Sequence, residues 1–107
     1  MPEHPLAVIE RIDPKITAHL RQTNALIYGD GALPKKLKLL IAMAFDAAHG
    51  ADKGVRALAC QAIQEGATRE EIAEVLRVAY HLAGVGTLYT AAAGLKEIFG
   101  EETPKAL

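Results

Sequence analysis

The sequence predicts an all-α fold of five to six helices. Apolar residues recur at steps of three and four through successive segments, and no stretch shows the alternation of a half-buried strand. A third observation marks one helix start sharply. Thr68 and Glu71 form a Thr-x-x-Glu capping box, in which the hydroxyl accepts from the amide three residues on and the glutamate reaches back to the Thr68 amide.

Taken in order, Pro5 and Pro14 stand where prolines open helices, and Ile16, Leu20 and Ile27 share a stripe behind Asp13, a suitable N-cap. Residues 1–30 therefore read as an N-terminal helical segment, broken by Tyr28-Gly29-Asp30-Gly31. Pro34 restarts a helix carrying Leu37, Leu40, Ile41, Ala44, Phe45 and Ala48, with Gly50 as its C′ residue. The next begins near Asp52, presents Val55, Leu58, Ala59, Ala62 and Ile63 on one side, and closes at Gly66. The helix opened by Thr68 aligns Ile72, Val75, Leu76, Ala79, Leu82 and Ala83. Ala83-Gly84-Val85-Gly86 breaks it before a last helix with Leu88, Ala91, Ala92, Leu95 and Phe99. Ala91-Ala92-Ala93-Gly94 is small enough for another backbone to approach closely. Glu101 to Leu107 reads as a loose tail.

At 107 residues the chain is one domain. Hydrophobic residues make up 50% of it, yet tryptophan is absent, so the core must come from Ala, Leu, Ile and Val. A small domain cannot hide that much apolar side chain within itself, which implies a homo-oligomer. The net charge is −1 with signs interspersed, which excludes the electrostatic footprint of a nucleic-acid binder. No apolar run reaches membrane-spanning length, and MPEHPLAVIE lacks the layout of a signal peptide. A cytoplasmic protein without a membrane anchor is expected. The single cysteine, Cys60, fits a reducing compartment and rules out an internal disulfide.

Within Pro34 to Gly94, the stretch A-x-x-x-G-A-T-x-E-E-I-x-E-V-L from Ala62 to Leu76 resembles the carboxymuconolactone decarboxylase and alkylhydroperoxidase D-like family. The resemblance implies a compact orthogonal helical bundle assembled as a trimer or hexamer, with lyase or peroxidase activity. In the alkylhydroperoxidase D-like branch, a Cys-x-x-Cys and a following histidine precede the G-A-T turn. Counting back from Gly66 puts these at Ala51, Gly54 and Leu58, and the branch's glutamate at Leu39. In the decarboxylases a histidine and an arginine two residues on fall at Leu58 and Cys60. Every one of these reactive groups is replaced. Two-cysteine disulfide exchange needs an attacking and a resolving thiol, which one cysteine cannot supply.

The residues present offer other chemistry. Asp46 and His49, at i and i+3, can share a helix face, where a carboxylate would orient an imidazole as general acid or base. Lys53 or Arg56 could hold a substrate carboxylate near the start of the following helix. A histidine in a helix's last turn also interacts favourably with the helix dipole and needs no substrate. Gly50 and Gly54 read as a C-cap and a close helix contact, or as an anion cradle. Cys60, one turn after Arg56, is a candidate one-cysteine peroxidase thiol or a small boundary residue. His81 could face a pocket with Tyr89 or sit at a helix end. The Glu70, Glu71 and Glu74 cluster is explained by capping and the dipole. His4 and His19 have no ligand spacing, and neither a metal nor a cofactor is expected.

The leading expectation is a decarboxylase-like protein that binds a small carboxylate-bearing molecule near His49, with proton transfer or decarboxylation. The alternatives are a peroxiredoxin-like antioxidant protein and a catalytically silent oligomeric binding module.

Overall fold

Six helices make up residues 4–100, the part of the chain described by a computed structural model. They are α1 (Ala7–Ile12), α2 (Pro14–Tyr28), α3 (Lys35–Ala48), α4 (Asp52–Gln64), α5 (Arg69–Ala83) and α6 (Gly86–Phe99). The tail expected at Glu101 to Leu107 lies outside the described residues. Among those residues there is no strand.

Local chemistry sets the helix ends. Asp13 serves two helices, its amide donating to the Ile9 carbonyl at the end of α1 and its carboxylate accepting from the Lys15 amide at the start of α2. Pro34 precedes α3 with extended backbone, and Asp30, four residues earlier, supplies the missing cap by accepting from the Lys35 amide at 2.7 Å. The α3–α4 turn uses Gly50 at φ +81°, a left-handed conformation that favours glycine. The capping box at Thr68 is complete in both directions. Glu71 also binds Lys36 at 2.9 Å, linking α5 to α3. That contact, with the Thr68 amide, holds the Glu71 carboxyl below its usual range.

Helices α3 to α6 form a body around Leu39, Met43, Val55, Ala59, Ile72, Ala91 and Leu95. Leu39, Met43 and Val55 are its largest fully buried side chains. Most of the core positions in α4 and α6 are small, which brings helices together. At Gly94 a Cβ would fall 2.5 Å from the Asp52 carbonyl oxygen and 2.8 Å from Val55 Cβ, so α6 packs against the first turn of α4 only because nothing stands there. The close approach expected of the Ala91–Gly94 stretch is thus made within one chain.

The N-terminal pair is different. α1 buries no residue and α2 buries only Thr17, although Ile16, Leu20, Leu26 and Ile27 are all exposed. α1 leans on α2, and α2 meets the body mainly along α3. Its C-terminal end is fastened by Lys38, whose ammonium donates to the Gly29 carbonyl at 2.7 Å. No helix among the described residues is long and apolar enough to cross a membrane.

Candidate functional site

Three helix faces converge on one crevice. From α2 come Arg21, Asn24 and Tyr28, from α3 Lys35, Lys38, Ile41, Phe45 and Asp46, and from α4 Gly54, Leu58 and Gln61. Each set follows helical spacing: 21, 24 and 28 on α2, 35, 38 and 46 on α3, 54, 58 and 61 on α4. The space divides into two connected cavities of about 500 and 530 Å³ that share Tyr28, Asp46 and Leu58.

Asp46 is the hinge of this arrangement. Its carboxylate lies against Gly54, in the space a side chain at that position would occupy. The absence of a Cβ at Gly54 lets the acid reach α4, and the Asp46 carbonyl also accepts from the Ala51 amide at 2.9 Å. Half-buried, with Arg21, Lys35 and Lys38 as lining cations, Asp46 is the one carboxylate among the described residues that line the crevice. A pocket with more cations than acids and an apolar wall suits a small organic anion. Lys38 already donates to Gly29, and Arg21 makes a long 3.8 Å ion pair with Glu10. The Lys35 side chain, half-buried, makes neither kind of contact.

The other residues singled out from the sequence lie elsewhere. His49 is exposed at the end of α3, its ring stacked on Phe45 with centroids 6.3 Å apart. No hydrogen bond joins it to Asp46: the two share a helix but turn to different neighbours, His49 to Phe45 at i−4 and Asp46 to α4. Lys53 is exposed, and the Arg56 guanidinium is engaged by Glu97 of α6 at 2.7 Å, on the far side of α4 from the crevice lining. Cys60 is an exposed free thiol. Neither His81 nor Tyr89 lines the crevice, and both are exposed. Among the described residues no three His, Cys, Asp or Glu side chains are grouped as metal ligands would be.

Arg21, Asn24, Tyr28, Lys35, Lys38 and Gln61 were missed from the sequence. Their i, i+3, i+7 spacing was visible, but only the docking of α2 on α3 and α4 makes three polar rows face one another. The positions that the family resemblance marks as reactive separate here. Gly54 and Leu58 line the crevice, whereas Leu39 is in the core at 0% exposure.

Comparison with known proteins agrees with the all-helical fold. The carboxymuconolactone decarboxylase family is matched over residues 14–97, which extends the resemblance from α3–α6 to include α2. The chain is 24% identical over 102 residues to the uncharacterized protein MJ1511 of Methanocaldococcus jannaschii, covering 95% of each. It is 40% identical over 65 residues to the uncharacterized protein H16_B0147 of Cupriavidus necator, covering 60% of this chain and 58% of that one. Among solved structures, apo-lpg0406, a carboxymuconolactone decarboxylase family protein from Legionella pneumophila, superimposes with a TM-score of 0.79 at 32% identity. That match covers 85% of this chain and 81% of the other.

Proposed function

The chain belongs to the carboxymuconolactone decarboxylase family, and we propose that it binds a small carboxylate-bearing molecule in the crevice between α2, α3 and α4. The observation that carries this reading is the meeting of Asp46 and Gly54 in a cavity whose other charged lining groups are cations. Lys35, with Arg21 lining the same cavity, holds the carboxylate. Leu58, Ile41 and Phe45 cover the carbon skeleton, and Tyr28 and Gln61 supply hydrogen bonds. Asp46 exchanges a proton with the bound molecule.

For a carboxymuconolactone, the bond between ring carbon and carboxylate breaks, carbon dioxide leaves, and the electron pair passes into the conjugated carbonyl. A proton then adds to carbon. Apolar walls favour loss of the carboxylate's charge, and a nearby cation stabilises the enolate that forms. In this reading His49, Lys53, Arg56, Cys60 and His81 stand outside the chemistry, and the protein works as a homo-oligomer.

Calorimetric titration with benzoate as a probe anion tests the binding. Loss of one charge-assisted hydrogen bond in Lys35→Ala should weaken it about 10- to 100-fold. Asp46→Asn should retain benzoate and lose carbon dioxide release from carboxymuconolactone. Failure of wild type to bind any small carboxylate would refute the reading. One observation favours a second reading, a silent binding module: apolar Leu58 and small Ala51 stand where the family resemblance puts reactive groups. There, ligand raises the melting temperature without turnover. For a peroxidase the sole thiol, Cys60, would have to act alone from outside the crevice.

A further inference from the structure

The crevice is not uniform along its length. Its two connected cavities meet at Tyr28, Asp46 and Leu58, and the residues that line only one of them differ in kind. Arg21, Asn24, Lys35 and Gln61 line only the cavity of about 530 Å³, and each carries a charge or an amide. The cavity of about 500 Å³ has instead Ile27, Ile41, Ala42 and Phe45, with Lys38 as its one cation among the described residues.

The charges at the apolar end are already engaged. The Lys38 ammonium donates to the Gly29 carbonyl at 2.7 Å. The Asp46 carboxylate lies against Gly54, which lines the polar cavity and not the apolar one. Ile27, Ile41 and Phe45 are 48%, 41% and 61% exposed, so an apolar group seated among them takes both its own surface and theirs out of water. A second carboxylate there would give up hydration and meet no uncommitted cation, which makes its burial costly. A carboxymuconolactone, polar along its whole length, has nothing to place against these walls.

We infer that the ligand is an amphiphilic carboxylate, with its charged end at Lys35 and Arg21 and an uncharged aryl or alkyl group, several atoms away, between Ile27, Ala42 and Phe45. This rests on the anion-binding reading above and narrows it to carboxylates with one polar end. Ile27 and Ala42 are then specificity-determining residues, since both line the apolar cavity and neither lines the polar one.

Calorimetric titration of the intact protein with three probes tests this. Benzoate, 4-phenylbutyrate and 4-(4-carboxyphenyl)butyrate share one carboxylate; the second probe adds reach and the third adds a charge at the far end. 4-Phenylbutyrate should bind about 10-fold or more tighter than benzoate, because its added methylenes carry the ring into the apolar cavity. The dicarboxylate should bind about 10-fold or more weaker than 4-phenylbutyrate. Ile27 is exposed in the last turn of α2, where a cation suits the helix end. Ile27→Lys should therefore strengthen the dicarboxylate several-fold and weaken 4-phenylbutyrate, a reversal that a merely structural role would not produce. Should that variant fail to fold, Ala42→Leu, which fills the apolar cavity, should bring the affinities for 4-phenylbutyrate and benzoate together. Equal binding of benzoate and 4-phenylbutyrate, a dicarboxylate that binds as well as 4-phenylbutyrate, or a folded variant that leaves the three affinities in their original ratio would each overturn the inference and leave the anion-binding reading standing. Binding of none of the three probes would overturn both.

Discussion

The four-helix body and the N-terminal pair are built from similarly apolar helices and meet opposite fates. In α3–α6 the inner faces close on one another, leaving Leu39, Met43 and Val55 fully buried, although Leu37, Ile41, Phe45 and Leu82 of the stripes expected from the sequence stay exposed. In α1 and α2 the same kind of stripe, Val8, Ile12, Ile16, Leu20 and Ile27, stays exposed. Helical periodicity states that a face must be covered; it does not state by what. The body stands on its own packing, whereas the pair contributes to the molecule mainly through one edge of α2, where Arg21, Asn24 and Tyr28 wall the crevice.

The contrast breaks first in the core. Met43→Ala, a buried large-to-small change, should cost about 2–5 kcal/mol in urea denaturation, while Leu26→Ala, at 83% exposure on α2, should stay within about 0.5 kcal/mol. Comparable losses at the two positions would erase the distinction. Next is Gly94→Ala. Alanine is the better helix former, yet its Cβ would meet the Asp52 carbonyl and Val55, so the substitution should destabilise by about 1–3 kcal/mol as α4 and α6 are forced apart. A more stable Gly94→Ala would show that α6 has room to move.

Thr68→Ala should cost about 1 kcal/mol through loss of the cap, read from the same denaturation curves. The smallest effect is a pH dependence. The Glu71 carboxyl is held low in the folded chain, first by Lys36 and then by the Thr68 amide. Its contribution to stability is therefore present above the unfolded carboxyl's range and lost as pH falls through the lower folded value. Glu71→Gln should flatten the acid limb of melting temperature against pH; an unchanged limb would assign acid sensitivity to other carboxylates.

Most helix boundaries were legible because their determinants are local. Asp13, Gly50, Gly66 and the Thr68–Glu71 box act within a few residues of the ends they define. The Asp30 cap on Lys35 escaped notice because it crosses a turn, outside the usual capping spacing. The site was legible only in part. Asp46 and Gly54 were singled out, but i and i+3 spacing shows that Asp46 could reach His49, not that it does. The side chain turns instead to the gap left by the missing Cβ at Gly54. Lys35 and Tyr28 were passed over because their relevance depends on how α2 docks, a tertiary fact that no local pattern encodes.

The most direct test of the crevice as the functional site is to follow backbone amide chemical shifts of the intact protein while benzoate is titrated in. The changes should centre on Tyr28, Lys35, Asp46, Gly54 and Leu58, and leave His49, Lys53 and His81 where they were. Shifts gathered around His49 and the start of α4, with Tyr28 and Lys35 unmoved, would contradict the account.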